Sequence, residues 1–273
     1  MLEVQDMHLS FARYRTLLHR EWLPVLNGVS CSVQRGELVA LIGASGAGKS
    51  LLAHAILGIL PRTASVNAVM LFDGQPLTPD RQAKLRGRQI ALVPQAVTYL
   101  DPTATAQRQV AWAATAAHRA HSQAEARQQA QEELQRYGLP QAAHGRYPHQ
   151  LSGGMARRVL TAIATVSHAD LLIADEPTSG LDPEVCQMTL RHLRHLADAG
   201  KGVLVISHDL DAVRHVTDRI VVMQAGRTIE TIDAATFASG HAQNPFTRAL
   251  YRALPQNGFH TYTETVEEEN LHA

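Results

Sequence analysis

The chain has 273 residues, of which 45% are hydrophobic and 18% charged, and its 25 basic residues balance 25 acidic ones. A chain of this size with this much apolar material can bury a full core, so the composition excludes disorder as the main state. The zero net charge argues against a dedicated nucleic-acid-binding protein. Two cysteines, Cys31 and Cys186, are too few for a disulfide framework or a four-cysteine metal cluster, which favours a reducing compartment.

The N-terminal residues 1–6 have neither the basic nor the apolar region of a secretory signal. The best candidate for a membrane span, residues 51–60, is too short for a bilayer. We therefore expect a cytoplasmic protein, in which any role at a membrane depends on a partner.

Short apolar or alternating segments dominate the first third of the chain and predict β-strands. These segments are residues 2–9, 28–33, 37–42, 66–72 and 89–94. A helical pattern over residues 49–58 ends before Pro61. Between the last two strands, Pro79-Asp80 predicts a turn.

The middle of the chain differs in composition from the first third. Residues 103–139 are rich in Ala, Gln, Glu and Arg without a strand signal, which predicts two helices that end at Gly138 and Pro140. Beyond Leu151, helices alternate with short apolar strands, a pattern that favours a parallel sheet covered on both faces. The predicted helices are residues 153–167 and 183–199, and the predicted strands are residues 171–174 and 202–207.

The segment between the strand 38–42 and the next helix matches the pattern G-x-x-x-x-G-K-[ST] at every fixed position. Its residues are Gly43, Ala44, Ser45, Gly46, Ala47, Gly48, Lys49 and Ser50. In this phosphate loop the glycines let backbone N–H groups converge on an anion at a helix N-terminus. Lys49 adds a positive charge for the outer phosphates, and Ser50 offers a hydroxyl to Mg²⁺. The alternative is a glycine-rich turn without a ligand.

Two carboxylates, Asp175 and Glu176, follow the apolar run 171–174. A buried strand would place Asp175 at the edge of the sheet beside the phosphate loop, where it can hold a Mg²⁺-bound water. Glu176 could then polarise the attacking water as a general base. The alternative is a strand end with acidic residues that face solvent.

The signature segment, Leu151-Ser152-Gly153-Gly154-Met155, precedes the helix 153–167. Ser152 is a plausible N-cap, and Gly153 and Gly154 leave the N–H groups of the first turn accessible. The sequence therefore predicts a second anion site, which a chain holding one nucleotide does not obviously need.

With these motifs the chain resembles the ATP-binding subunits of ABC transporters over about residues 2–255. The resemblance implies an α/β fold of the P-loop NTPase ABC ATPase type. This fold has a mostly parallel RecA-like core sheet, an N-terminal antiparallel β subdomain and an inserted helical subdomain at about residues 103–166. We expect an ATPase domain over residues 1–263 and a flexible tail over residues 264–273.

The resemblance also assigns roles. In the family, the signature segment of one subunit contacts the ATP held by the phosphate loop of another, so Ser152, Gly153 and Gly154 would act in trans. Gln95 resembles the Q-loop glutamine that contacts Mg²⁺ or the attacking water, and residues 179–182 resemble the D-loop at the dimer interface. His208 matches the switch histidine that reaches the γ-phosphate. Glu176, His208 and Gln95 would be catalytic, and Ser50, Gln95 and Asp175 would surround Mg²⁺.

An aromatic side chain upstream of the phosphate loop stacks on adenine in this family. Phe11, Tyr14 and Trp22 are available, and Tyr14 and Trp22 are favoured equally.

Three segments resemble the peptide/nickel branch of importers: residues 58–61, Met155 in the signature segment, and residues 244–250. The closest resemblance is to nickel or metallophore (opine-type) importer ATPases, because no cysteine cluster follows Cys186 as it often does in peptide importers. The implied partners are transmembrane permease subunits, a second ATPase subunit of the same or another kind, and a periplasmic or extracellular solute-binding protein. The implied location is peripheral, on the cytoplasmic face of the inner (cell) membrane, without nucleic acid.

Two other classes of protein remain possible on the sequence. A soluble ABC ATPase would share the motifs, and a small-molecule kinase with a phosphate loop would bind ATP without needing the signature segment. His192 and His195 have a spacing that can chelate a metal, but we expect both to be solvated. We expect Cys31 and Cys186 to be small buried hydrophobic residues.

Overall fold

Two β-sheets organise the part of the chain that the computed structural model describes, residues 1–14 and 20–254. The strands in this part are β1 (Leu2–Tyr14), β2 (Arg20–Val33), β3 (Leu38–Gly43), β4 (Ala64–Phe72), β5 (Gln75–Pro76), β6 (Ile90–Val93), β7 (Leu171–Asp175), β8 (Gly202–Ser207), β9 (Arg219–Gln224) and β10 (Arg227–Asp233). One sheet is antiparallel, in the order β2-β1-β4-β5, and the other has the order β10-β9-β3-β8-β7-β6. In the second sheet only β10 runs antiparallel to its neighbour.

The parallel register gathers the carboxyl ends of five strands, β9, β3, β8, β7 and β6, at one edge. Ile42 of β3 pairs with Ser207 of β8, and Asp175 of β7 pairs with Ile206 of β8. β6 continues this arrangement beyond β7, since Val93 pairs with Ala174. The segments that leave β3, β8, β7 and β6 therefore emerge side by side, which is where ligands bind in open α/β sheets.

The helices in the described part are α1 (Lys49–Leu57), α2 (Pro79–Leu85), α3 (Ala106–Ala116), α4 (Gln123–Arg136), α5 (Gln141–His144), α6 (Gly153–Thr165), α7 (Pro183–Asp198), α8 (Leu210–Val213), α9 (Ala234–Ala238) and α10 (Pro245–Arg252). Side chains cap the N-termini of α3, α4, α6 and α7, as the sequence chemistry of Thr105, Ser122, Ser152 and Asp182 favours. Among the described residues, every helix falls short of the length and apolar character that a membrane crossing requires.

Among the described residues, three buried clusters form the core. Alternate residues of β3 point to opposite faces of the sheet: Val39 and Leu41 pack with α1 and the antiparallel sheet, whereas Leu38, Ala40 and Ile42 pack with α7. A third cluster lies within the helical insert, which we define as α3 to α6. The subdomain boundaries 103–166 and the domain 1–263 stay predictions, and the expected tail 264–273 lies outside the described residues.

The prediction of a simple turn at Pro79-Asp80 is wrong. Thr78 accepts a hydrogen bond from the N–H of Arg81, and Pro79 occupies the first turn of helix α2. From α2, the Gln82 side chain donates to the carbonyls of Ala55 and Ile56 at 2.8 and 3.0 Å, where helix α1 ends. A proline at the start of a helix and a proline in a turn share the same local signal, so only this packing distinguishes them.

Candidate functional site

The phosphate loop connects β3 to α1 in a conformation that requires glycine at two positions. A Cβ at Gly43 would lie 2.3 Å from the carbonyl oxygen of Met223. Gly48 has a φ of +93°, and a Cβ there would lie 2.3 Å from Leu26 Cδ2. The backbone can therefore curl closely around an anion, as this motif requires.

Lys49 is held by its own loop. Its Nζ donates to the carbonyl oxygens of Gly43 at 2.7 Å and Ala44 at 3.1 Å. Burial lowers the pKa of Lys49, and the negative charges of Glu176 and Asp175 oppose this shift. The amine thus lies in the loop with acceptors that phosphate oxygens can replace.

A cavity of about 260 Å³, the phosphate cavity, brings the loop together with two of the other predicted residues. It is lined by Ser45, Gly46, Ala47, Gly48, Lys49, Ser50, Leu51, Gln95 and Glu176. Gln95 follows β6 and is exposed, whereas Glu176 follows β7 and is buried. The parallel register of the sheet accounts for this meeting.

Asp175 ends β7 and is buried next to the phosphate loop. Burial raises the pKa of its carboxyl, and a hydrogen bond with the Ser50 side chain opposes this rise. Its Oδ1 atom is buried without a hydrogen-bond partner. A buried, unpaired carboxylate oxygen beside a serine hydroxyl is a donor set that suits a hard cation such as Mg²⁺.

Glu176 is held in an uncommon backbone conformation, with a φ of +51°. Its N–H donates to the carbonyl of Ile206 at 2.9 Å. Its side chain is 8% exposed, and Oε2 lies 2.7 Å from Nδ1 of His208, which follows β8. The two atoms are close but not aligned as a hydrogen bond, so this buried oxygen has no full partner. Such a carboxylate can accept a proton from a water in the cavity.

The predicted trans residues lie elsewhere. Ser152 caps α6 by accepting from the N–H of Met155 at 3.3 Å, and Gly153 has open space where a Cβ would be. Among the described residues that line the phosphate cavity, none belongs to the signature segment. His208 is not among the described residues that line the phosphate cavity; it lines a second cavity of about 750 Å³, together with Gly180 of the predicted D-loop.

Sequence reasoning missed Arg157, two residues after the signature segment. Its guanidinium donates to the carbonyl of Gln95 at 2.9 Å and makes a short hydrogen bond to the carbonyl of Glu176. Burial lowers the pKa of Arg157, and the carboxylates of Glu176 and Asp175 oppose this. No local signal marks it, because an arginine in an early helical turn is expected to face solvent.

The remaining sequence expectations concern aromatic, histidine and cysteine residues. Trp22 is 45% exposed, and the side chain of Tyr14 lies outside the described ones. The expectation that His192 is solvated is wrong, because its half-buried ring packs edge-on against Tyr137 with centroids 5.0 Å apart. Across residues 1–14 and 20–254, no group of three or more His, Cys, Asp or Glu could hold a metal ion. Cys31 is buried, which raises its pKa to about 12, and Cys186 is half-buried.

Curated relatives of the chain are peptide transport proteins by name. The probable D,D-dipeptide transport ATP-binding protein DdpD of Escherichia coli is 36% identical over 94% of this chain and 79% of its own length. The dipeptide transport ATP-binding protein DppD of the same organism is 39% identical over 84% of this chain and 72% of its own. The oligopeptide transport ATP-binding protein AppD of Bacillus subtilis is 34% identical over 93% and 78%.

Solved structures and a family comparison agree with these relatives. A dimeric ATP-binding cassette in a post-hydrolysis state, bound to ADP and Pi, superposes with a TM-score of 0.76 at 27% identity and covers 86% of this chain and 99% of its own. The fold class predicted from the sequence is therefore confirmed. The sequence pattern of the family described as ABC transporter matches residues 26–179. The chain belongs to the ABC transporter family, as one of its ATP-binding, ATP-hydrolysing subunits.

Proposed function

We propose that the chain powers the uptake of peptides through separate permease subunits, from a peripheral position on the cytoplasmic face of the cell membrane. The observation that carries the energy-coupling part is the phosphate cavity, where the loop lysine and a buried glutamate meet, with a histidine 2.7 Å from that glutamate. The peptide cargo is supported by the names of the relatives, which transport dipeptides or oligopeptides. The nickel or metallophore cargo expected from the sequence stays an alternative.

We assign a separate role in ATP hydrolysis to each residue of this site. The N–H groups of the phosphate loop and Lys49 bind the β- and γ-phosphates. Glu176 accepts a proton from a water whose oxygen bonds to the γ-phosphorus, while the bond to the bridging oxygen of ADP breaks. His208, 2.7 Å from Glu176, would orient this carboxylate and donate to the γ-phosphate. The products are ADP and inorganic phosphate.

The cation site fits this assignment. Asp175 Oδ1 is buried and unpaired, and the Ser50 side chain interacts with the same carboxylate. With the Gln95 side chain, these oxygens would hold Mg²⁺, which when bound neutralises charge on the phosphates. Burial raises the pKa of the Asp175 carboxyl, and the charge of a bound cation would oppose this rise.

A second ATPase subunit completes the site in this proposal. The N-terminus of α6 presents Ser152 and Gly153 to solvent, away from the phosphate cavity of the same chain. An ATP held by one phosphate loop would be contacted by the signature segment of the other subunit, either a copy of this chain or a related ATPase. Closure would drive the permease, with cargo delivered by a solute-binding protein, and loss of the γ-phosphate would release the dimer.

Two substitutions test the assignment. Lys49→Ala should weaken ATP affinity by about 100-fold or more, because it removes the charge that meets the outer phosphates. Glu176→Gln should bind ATP normally, lose nearly all turnover and accumulate as an ATP-dependent dimer in light scattering. Unchanged ATP affinity in Lys49→Ala, or wild-type hydrolysis in Glu176→Gln, would contradict the site. A strictly monomeric Glu176→Gln protein with ATP and Mg²⁺, even beside the permease, would contradict the dimer.

The transport part needs a separate experiment. The full chain is purified together with the membrane proteins it binds, and the solute-binding protein of that system is titrated with a dipeptide, an oligopeptide and a nickel–metallophore complex by calorimetry. Selective peptide binding supports the proposal, whereas selective binding of the nickel complex replaces the cargo. Failure to associate with any permease favours the soluble ABC ATPase.

A further inference from the structure

Arg157 connects three parts of the molecule through one side chain. It lies in the second turn of α6, and its guanidinium donates to the carbonyl oxygens of Gln95 and Glu176. These two residues follow the adjacent parallel strands β6 and β7, and both line the phosphate cavity. Arg157 itself is not among the residues that line it.

The backbone of Glu176 needs this support more than an ordinary turn does. A non-glycine residue with a φ of +51° is held in the left-handed region at a cost of about 1 kcal/mol or more. The N–H of Glu176 is bonded to Ile206, and its carbonyl also accepts from the N–H of Ser179 at a long 3.3 Å. The Arg157 hydrogen bond is thus the short, charge-assisted contact on this carbonyl.

The chemistry of arginine suits the bridge. A guanidinium is a planar fork that stays charged and donates to two acceptors at once, whereas an ammonium on a flexible stem holds one geometry less well. Arg157 is half-buried, and its hydrogen bond to the Glu176 carbonyl is partly shielded from water, whereas the one to the Gln95 carbonyl is exposed. Asp175 and Glu176 also attract its charge, which keeps the guanidinium at this side of the cavity.

We infer that Arg157 is a positioning residue for ATP hydrolysis, which fixes Gln95 and Glu176 relative to each other and to helix α6. The inference rests on the proposed roles of Gln95 and Glu176. Because α6 begins at Ser152 and Gly153, the segment proposed to contact the ATP of the second subunit, any movement of that helix reaches the water-activating pair of its own chain. The bridge thereby links the two ATP sites of the dimer.

The test compares the full-length chain with Arg157→Gln, Arg157→Lys and the control Arg127→Gln. Arg127 is an exposed arginine on α4 in the same helical insert, and its substitution removes the same charge. ATP hydrolysis gives kcat and KM, a fluorescent ATP analogue gives Kd, and thermal unfolding gives Tm. Arg157→Gln should lower kcat by about 10- to 100-fold through misplacement of the catalytic groups, with KM and Kd within about twofold.

The conservative variant and a double-mutant cycle separate positioning from mere folding. Arg157→Lys keeps the charge but holds one carbonyl, so its kcat should fall between those of the wild type and Arg157→Gln. Gln95→Ala combined with Arg157→Gln should lose less activity than the product of the single losses, because both act on the same arrangement. Arg127→Gln should retain wild-type kcat and Tm.

Several results would overturn the inference. Two of these are an unchanged kcat in Arg157→Gln and a raised KM with an unchanged kcat. The others are activity losses that multiply fully when Arg157→Gln is combined with Gln95→Ala, and a kcat that falls only in proportion to the folded fraction. If Arg157→Gln does not fold, a wild-type kcat in folded Arg157→Lys would likewise contradict it. A failure of Lys49→Ala or Glu176→Gln would instead remove the underlying site assignment, so the two failures are distinguishable.

Discussion

Two regions of the molecule differ in the side chains that they bury. One is the sheet edge that holds the phosphate cavity, and the other is the helical insert that carries the signature segment. The strands β3, β7 and β8 bury Val, Ile and Leu side chains on both faces. The insert instead has an alanine-rich core. Its buried alanines are Ala106, Ala111, Ala114, Ala120, Ala126, Ala130, Ala143, Ala156 and Ala162.

The difference is energetic as well as compositional. Each methylene buried contributes about 0.8 kcal/mol, so an alanine contributes much less than a leucine or isoleucine. The insert adds a buried hydrogen bond from Thr165 Oγ1 to Glu133, which also pairs with the half-exposed Arg136 at 3.0 Å. Burial raises the pKa of Glu133, so this carboxylate is costly to keep charged. We expect the sheet edge to be rigid and the insert, which is proposed to meet the second subunit, to open more readily.

Two matched alanine substitutions in the core test this contrast, and they are expected to have the largest effect on stability. Ile173 of β7 and Leu134 of α4 are both fully buried, and replacing either with alanine should cost about 2–5 kcal/mol. Ile173→Ala should lower the global free energy of unfolding. Leu134→Ala should mainly speed hydrogen exchange of amides in α3 and α4. If both variants reduced hydrogen-exchange protection in β3, β7 and β8 equally, the contrast would be contradicted.

The second prediction concerns chemistry at the sheet edge. His208→Ala should lower kcat by about 100-fold, or about 2.7 kcal/mol, because it removes the partner 2.7 Å from Glu176. ATP Kd should change little, since the phosphate loop is untouched. The matched control is exposed His121 in the insert, whose alanine variant should hydrolyse ATP normally. Wild-type turnover in His208→Ala would exclude the assigned role.

The third prediction compares two helix caps in the insert. Ser152 and Ser122 accept N–H hydrogen bonds at 3.3 and 3.1 Å, so each alanine variant should lose about 1 kcal/mol of stability by urea unfolding. Only Ser152→Ala should also weaken ATP-dependent dimer formation in the Glu176→Gln background. Equal dimerisation of both variants would remove Ser152 from the interface.

The smallest effect is a pH dependence at the contact between α4 and α7. Burial lowers the pKa of His192 from 6.5 to about 4, and the charges of Arg136 and His195 add to this shift. The Tyr137 ring packs against His192 from the C-cap of α4, and Glu133 lies near Tyr137. Between these pH values the unfolded chain binds more protons, so the free energy of unfolding should fall as the pH falls from about 6.5 to about 4.

Urea unfolding at pH 7 and pH 5 measures this slope. His192→Gln should flatten it, because the variant has no group to protonate at this position. His121→Gln, on an exposed histidine, should leave the slope unchanged. A slope that persists in His192→Gln would place its origin elsewhere.

Sequence reasoning located the elements to which we assign the chemistry because their signals are local. The phosphate loop, the apolar strand before Asp175 and the cap at Ser152 are each defined by a few consecutive residues. Helix α2 was missed because a proline at a helix start resembles one in a turn. The strands and helices beyond Ser207 received no prediction apart from the segment 244–250, part of which forms α10.

The amino-acid sequence by itself determined which residues can bind phosphate, donate to a cation or accept a proton, since these properties belong to the side chains and their nearest neighbours. Only the tertiary structure decided that Glu176 meets His208, that Asp175 keeps an unpaired oxygen, and that Arg157 reaches two carbonyls. The two residues whose carbonyls accept from Arg157 lie 19 and 62 positions away from it in the sequence. Such contacts depend on strand register and helix packing, which arise from burial of the whole core and from no single segment.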